Sequence, residues 1–289
     1  MKALIVLLAA LVAVPAAAQV AVPDNRAYIL TPPASSKPRI NGPSVFGVRP
    51  GSPLLYHVPV TGDRPITYAA KGLPDGVTLD AATGQLSGAV GRAGTYDVTL
   101  IARNARGTTK KAFRLKVGDE IALTPPMGWN SYNVWSDQVD QNKMLAAANA
   151  LVSSGLIEHG WTYVNMDDGW QGTRGGGDHA MQANPDKFPD MEAMIDRIHG
   201  MGLKVGIYSS PWVQTYANRL GGSAENPEGA RQDWPAGAQH NKHQFPFEVG
   251  HYHFTLADAR QYAGWGIDYL KYDWGPVDYD NAKEMFDAL

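Results

Sequence analysis

The sequence predicts two folded parts in series: an all-β sandwich over residues 40–118, then the first half of a (β/α)8 TIM barrel over residues 121–289. Three observations carry this reading. Between residues 40 and 118, short alternating polar and apolar runs are separated by Gly, Pro, Asp and Asn turns, the pattern of half-buried strands. After residue 120, strand-like apolar runs alternate with amphipathic helical segments, which implies βα units on a parallel sheet. The polar residues of this second part gather at the C-terminal ends of the predicted strands, where such barrels carry their sites.

The chain opens on a secretory signal, residues 1–18. Lys2 supplies the positive start, residues 3–14 the apolar stretch, and Pro15-Ala16-Ala17-Ala18-Gln19 a small-residue cleavage site. The apolar stretch falls short of the ~20 residues a membrane span needs, so a secreted or periplasmic protein with no membrane partner is expected. With no cysteine in 289 residues, stability after export has to come from the core and not from disulfides. Residues 19–39, rich in Pro, Ala and Ser, read as a flexible leader. The composition is that of a turn-rich globular protein, with 44% hydrophobic and 18% charged residues, 31 Gly and 20 Pro. A net charge of −3 without any Lys/Arg-rich run argues against a nucleic-acid partner.

In the sandwich, strands are expected at 54–60, 66–70, 95–102 and 110–117. Tyr96, Val98, Leu100 and Ala102 share one face of the third run, opposite Thr95, Asp97 and Thr99. Asn104-Ala105-Arg106-Gly107 turns it into the last. The run Gly72-Leu73-Pro74-Asp75-Gly76-Val77-Thr78-Leu79-Asp80, followed by Thr83-Gly84-Gln85-Leu86-Ser87-Gly88, resembles bacterial immunoglobulin-like modules of the cadherin-like kind. Such a fold says little about function. Without an exposed aromatic cluster, a spacer or docking role fits this module better than carbohydrate binding. Asp75, Asp80 and Asp97 could take calcium, although turn and surface carboxylates are commoner.

The second part reads strand 126–130, helix 140–154, strand 163–167, helix from Asp190 to about Gly200, strand 204–208, helix 255–263, strand 267–273 and a helix from about Asp278. Asp140 and Asp190 are placed as helix caps and Gly155 as a stop. Met144, Ala148, Leu151 and Val152 are expected on one helix face, and Met191, Met194, Ile195 and Ile198 on the next. A complete barrel needs about 250 residues, more than follow residue 120, so a fragment of a longer protein is expected. A doubly wound sheet is the runner-up, but no Gly-rich phosphate turn follows the first strand.

The candidate chemistry lies at Trp129 and Asn130, Asp167 and Asp168, Tyr208, Lys271 and Asp273. Lys271 and Asp273, two apart on a strand, point the same way, and an ammonium nearby favours an ionised, nucleophilic carboxylate. Asp167-Asp168-Gly169-Trp170 sets two acids side by side with an aromatic close by. Sugar hydroxyls, which donate hydrogen bonds in pairs, are a natural user of those acceptors; a metal ion is another. Met127 to Asn133 holds no histidine, and His179, His240, His243 and the pair His251 and His253 fall in loops, which argues against a catalytic metal. Residues 210–254, without periodicity and carrying Trp212, Tyr216, Trp234, Phe245, Phe247 and Tyr252, read as a substrate-shaping loop or a structural flap.

Four stretches share one resemblance: Leu123-Thr124-Pro125-Pro126-Met127-Gly128-Trp129-Asn130-Ser131-Tyr132, Tyr163-Val164-Asn165-Met166-Asp167-Asp168-Gly169-Trp170, Gly202-Leu203-Lys204-Val205-Gly206-Ile207-Tyr208-Ser209, and Trp265-Gly266-Ile267-Asp268-Tyr269-Leu270-Lys271-Tyr272-Asp273. Together they resemble glycoside hydrolase family 27, the retaining α-galactosidases and α-N-acetylgalactosaminidases. The resemblance implies Asp273 as nucleophile, Asp167 and Asp168 on the C4 and C6 hydroxyls of a galacto-configured sugar, Lys271 near C3 and C4, Trp129 as apolar wall and Tyr208 as pocket lining. It implies an oligosaccharide or polysaccharide substrate with terminal galactose, no metal or organic cofactor, and an acid/base residue beyond Leu289.

Two departures bear on specificity. Ser209-Ser210-Pro211-Trp212 and Trp274-Gly275 stand where the family commonly has segments carrying two cysteines, which pair beside the pocket. Related specificities, β-L-arabinopyranosidase and isomalto-dextranase, therefore stay open, as does a non-catalytic carbohydrate-binding protein.

Overall fold

The computed structural model describes residues 33–231 and 249–273. The signal segment, most of the leader, Trp234, His240, His243, Phe245, Phe247, Trp274, Gly275 and the helix expected near Asp278 lie outside them. The described residues from Ser35 onward form one compact unit.

Its first part contains β1 (Arg39–Ile40), β2 (Val45–Val48), β3 (Pro53–His57), β4 (Val60–Thr61), β5 (Thr67–Lys71), β6 (Val77–Leu79), β7 (Gln85–Ala89), β8 (Gly94–Asn104) and β9 (Gly107–Val117). One sheet runs β2-β9-β8-β5 and a second β3-β7-β6, with β1 paired to β4. The alternation in β8 sets its inner face: Val98, Leu100 and Ala102 are buried with Leu54, Leu86, Phe113 and Leu115, while Thr95 and Asp97 stay exposed. The β8–β9 hairpin closes at Asn104↔Gly107. There Asn104 Oδ1 accepts from the Arg106 amide at 2.8 Å, and its Nδ2 donates to the carbonyls of Ser36 and Asp63. The Gly/Asp motif becomes the β6–β7 hairpin, and Asp80 spends its carboxylate on the turn, accepting from the amides of Ala82 and Thr83 at 2.8 Å each.

The second part contains β10 (Gly128–Asn130), α1 (Tyr132–Trp135), α2 (Gln141–Ser153), β11 (Tyr163–Met166), β12 (Gln171–Gly175), β13 (Ala180–Ala183), α3 (Met191–Gly200), β14 (Lys204–Ser209), β15 (Ser223–Ala224), β16 (Tyr252–His253), α4 (Thr255–Trp265) and β17 (Tyr269–Tyr272). A parallel sheet runs β10-β11-β14-β17, in chain order. Asp140 caps α2 through the Lys143 amide and Asp190 caps α3 through the Ala193 amide. Val164, Met166, Val205 and Ile207 pack outward against Met144, Ala148 and Leu151 of α2, and against Met194, Ile195 and Ile198 of α3. Val152, expected in this stripe, is 41% exposed. The stripe advances through 144, 148 and 151, and the residue after Leu151 turns ~100° away from it. The β12–β13 hairpin was not legible in the sequence.

The sandwich seats on the end of the parallel sheet where the strands begin. The turn Leu156–His159, just before β11, presents Glu158 to it. Its carboxylate accepts from the Val60 amide at 2.8 Å, pairs with Arg64 at 2.6 Å and lies 3.5 Å from the His57 ring. Asn41 donates to the Glu158 carbonyl, Gln85 to the His199 carbonyl at the end of α3, and the Lys204 ammonium opening β14 lies 4.2 Å over the Phe46 ring. Burial alone would raise the Glu158 carboxyl, but the His57 and Val60 hydrogen bonds and the Arg64 charge outweigh it and hold it below the usual range.

Candidate active site

The opposite end of that sheet carries a cavity of about 280 Å3 lined by Tyr132, Asp167, Asp168, Tyr208, Tyr216, Lys271 and Asp273. Strand register explains the convergence. Tyr208 stands level with Lys271 in β14–β17, and Asp167 follows the last paired residue of β11, Met166, which faces Ile207. Asp167, Tyr208 and Lys271 thus form one layer at the ends of three strands, and Asp273, the residue just after β17, lies two residues beyond Lys271 on the same side. Five of the six residues to which the family resemblance gives a role, Asp167, Asp168, Tyr208, Lys271 and Asp273, meet here.

The sixth does not. Trp129, expected as the apolar wall, stands in register with Val164; it packs with the outward cluster and edge-on to Trp135, ring centroids 5.1 Å apart. Tyr132, three residues on, lines the cavity instead, because the chain leaves β10 through a turn in which the Tyr132 amide donates to Asn130 Oδ1 at 3.0 Å. Asn130 therefore shapes the turn. Trp170, read as an aromatic beside the twin acids, is wholly buried behind them; it packs edge-on to Tyr262 and Trp265 and donates Nε1–H to the Tyr208 carbonyl at 2.9 Å.

The two acids sit in different surroundings. Asp167, 2% exposed, takes the Lys271 ammonium at 2.9 Å, while its own amide donates to Ser131 Oγ at 3.0 Å. Lys271 thus ion-pairs with Asp167, and the neutral donor Tyr208 OH serves Asp273 at 3.2 Å. Asp168, 1% exposed, accepts from the Ala217 amide at 2.7 Å through Oδ2, and its Oδ1 is buried with no protein partner. Burial pushes its carboxyl up to about 6; the Ala217 and Thr215 donors oppose this and the Asp167 charge adds to it. Tyr208 is raised by burial and by the surrounding carboxylates, so it stays a protonated donor. Gly169 has to be glycine: φ is 107°, and a Cβ would stand 2.6 Å from the Asp137 carbonyl.

Tyr216 is one of the aromatics of the segment read as a substrate-shaping loop or a structural flap, and without periodicity nothing in the sequence singled it out from the others. Residues 211–224 are nonetheless knitted: Gly222 N donates to the Ser210 carbonyl at 2.7 Å, Thr215 N to Arg219 at 2.9 Å and Gly221 N to Val213 at 3.0 Å. Arg174 of β12 locks this segment from behind. Its guanidinium pairs bidentately with Asp258 of α4 at 2.7 and 2.9 Å, donates to the Gly221 carbonyl at 2.6 Å and covers the Phe254 ring at 4.1 Å. His251, one of the histidines weighed for a metal, faces Glu225. Among the described residues, no group of three or more His, Asp or Glu is placed to hold a metal ion.

Fold and pocket define a class: an immunoglobulin-like module followed by a parallel α/β segment with a carboxylate-lined pocket at its strand ends. Comparison with known proteins supplies the relatives. Residues 11–118 match the family model described as "Putative Ig domain", and residues 124–232 the one described as "Alpha galactosidase A". The two matches stand in series, one similar to an Ig-like domain and one similar to part of an α-galactosidase domain, as the sequence motifs led us to expect. It is 36% identical over 172 residues to "Alpha-galactosidase A" of Cellvibrio japonicus, covering 59% of this chain and 35% of that protein. To "Probable alpha-galactosidase" of Dictyostelium discoideum it is 32% identical over 170 residues, covering 58% and 36%. Crystal structures of a "putative alpha-galactosidase" and a "putative alpha-galactosidase/melibiase" from Bacteroides fragilis superpose with a TM-score of 0.74 each, at 34% and 35% identity, over 89% of this chain and 50% of theirs. The chain therefore spans about a third of these curated relatives and half of these solved structures.

Proposed function

We propose that the protein of which this chain forms part is a retaining exo-glycoside hydrolase that releases terminal α-linked galactose, with Asp273 as nucleophile. One observation carries the reading: Asp167, Asp168, Lys271, Tyr208 and Asp273 converge on a single cavity, near the lower end of the ~300–1,000 Å3 range of small-molecule sites. The four strands run in chain order without the reversal of a doubly wound sheet, which supports reading them as the first half of a (β/α)8 barrel, residues 121–289, behind a sandwich at 40–118. Export behind the signal at 1–18 belongs to the same proposal.

In this reading the buried acceptors of Asp167 and Asp168 take paired sugar hydroxyls, with Asp168 Oδ1 left open for a donor. Lys271 ion-pairs with Asp167 and fixes its orientation, and Tyr208 steadies Asp273. An Asp273 oxygen attacks the anomeric carbon as the glycosidic C–O bond breaks. The bonding pair leaves with the departing oxygen, which takes a proton from a second carboxylic acid ~5–5.5 Å from Asp273. Water, deprotonated by that same group, then cleaves the ester and restores Asp273. The acid/base role is assigned to none of the described residues.

The test uses the full-length protein. Asp273→Ala should abolish turnover of an aryl α-galactoside while leaving the fold intact, and added azide should restore activity with β-galactosyl azide as product. A 2-fluoro-galactosyl inhibitor should label the wild-type peptide containing Tyr272-Asp273. Labelling elsewhere, or near-normal turnover by the variant, would show that Asp273 is not the nucleophile.

A further inference from the structure

The cavity's walls differ in depth. Asp167 and Asp168 are at the floor, 2% and 1% exposed, whereas Tyr216 and Tyr132 are only half-buried. Tyr216 is the one lining residue supplied by the segment 211–224; the others come from the ends of β10, β11, β14 and β17 or the residues just after them. Its ring is held in place: Trp212, wholly buried, meets it edge-on with centroids 5.4 Å apart, and the next amide, Ala217 N–H, is anchored on Asp168 Oδ2. Its phenol is raised by burial and then by the nearby Asp273 carboxylate, against the opposing Lys271 ammonium.

We propose that Tyr216 is a specificity-determining residue: a fixed aromatic platform at the mouth of the pocket, on which the second sugar, the one bonded to the terminal galactose, stacks. This rests on the galactosidase reading above. A sugar whose hydroxyls reach the floor carboxylates fills the lower cavity, so the next ring must sit at the rim. Sugar rings present C–H faces there, and an aromatic ring with few rotatable bonds gives them area at low entropic cost. The rigidity of 211–224, secured by Arg174 on the Gly221 carbonyl, keeps that platform in register with Asp168.

The experiment compares wild-type full-length protein with Tyr216→Ala and Tyr216→Phe, after thermal unfolding has shown all three folded. The half-buried position makes Tyr216→Ala tolerable to the fold, and Tyr216→Phe keeps the ring. Two quantities are read: kcat/KM for the disaccharide melibiose, and the inhibition constant of free galactose, which occupies the floor alone. Loss of a sugar–aromatic contact should lower kcat/KM of Tyr216→Ala about tenfold and shift the galactose constant less than about twofold, with Tyr216→Phe near wild type. Equal losses for both ligands would make Tyr216 a wall of the terminal-sugar site and overturn the platform. Unchanged values for both would show no contact and overturn it too. A folded wild-type protein that neither cleaves melibiose nor binds galactose would sink the galactosidase reading itself, and the platform with it.

Discussion

The two halves of this chain treat buried polarity in opposite ways. In the sandwich, the described polar side chains that are buried are His57 and Asn104. Asn104 answers every demand locally, tying a hairpin to its neighbours, and His57 lies at the seam with the second half. In the α/β half, Ser131, Asp167, Asp168, Gln171, Ser209, Ser210, Gln214, Thr215 and Asp258 are buried, around the strand ends and the segments that follow them. Some remain without a hydrogen-bond partner, among them Asp168 Oδ1 and both amide atoms of Gln214, whereas in the sandwich the described side-chain atoms so left are Tyr56 OH and His57 Nε2. Burying polar groups costs free energy unless they are satisfied, so such a concentration needs a use. The sandwich is built for its own stability; the other half carries polar atoms that a ligand can complete.

The largest expected effect breaks the α/β half alone. Asp258→Asn leaves Arg174, 1% exposed, without its carboxylate, which should cost about 3–5 kcal/mol. All eight tryptophans lie after residue 120, so urea unfolding followed by tryptophan fluorescence reports this half. An unshifted midpoint would show that the pair organises nothing. In the sandwich, Phe113→Ala should cost a similar ~3–5 kcal/mol, measured on residues 40–118 expressed alone, which should fold independently. If that piece shows no cooperative unfolding, the first half is not self-sufficient and the contrast fails.

Next comes the joint. Glu158→Gln gives up charge-assisted bonds, about 1.5–3 kcal/mol at neutral pH. Because the folded-state carboxyl lies below the ordinary glutamate value near 4, that contribution is complete above the ordinary value and is lost as pH falls through the lower folded one. The wild-type advantage over Glu158→Gln should therefore shrink in acid. A constant gap down to strongly acidic pH would mean that the ion pair is idle.

Asp168→Asn should separate stability from function. With the folded carboxyl at about 6, above an unfolded value near 4, wild-type stability falls as pH rises between the two. The variant should escape that fall and melt no earlier at neutral pH, while galactose affinity drops by roughly 1.5–3 kcal/mol. If it binds normally and only melts earlier, the residue is structural. Smallest of all is Lys204→Met. Burial lowers the ammonium to about 8, so wild-type stability should rise as pH climbs from there toward an unfolded value near 10. At pH 7 the exchange should stay within about 1 kcal/mol, with the alkaline rise gone; a larger loss would mark the Lys204 stack on Phe46 as a main strut.

Much of this was readable in the residues. The caps Asp140 and Asp190 and the stripes behind them located α2 and α3 to within a residue or two, because such signals are local. The twin acids and the Lys271/Asp273 pair were legible because strand ends aim side chains predictably. Trp129 was misplaced and Tyr132 missed because a short turn between them decides which residue faces the cavity, and no periodicity covers three residues. Val152 failed for a related reason: an apolar residue beside the stripe counts toward it in sequence but not in space. Tyr216 and the β12–β13 hairpin depend on Arg174, Gly221 and Asp258, partners far apart along the chain.

The Glu158 seam also fixes where this protein can be cut and rejoined. A recombination made at the linker after Val117 would give a foreign module a surface that still presents Glu158, the His199 carbonyl and the Lys204 ammonium. Those groups would then meet whatever replaces Val60, Arg64, Gln85 and Phe46. The unit of exchange is therefore discontinuous in sequence: residues 35–118 travel together with the turn Leu156–His159 and the threshold of β14, or a half-buried carboxylate is left facing no donor.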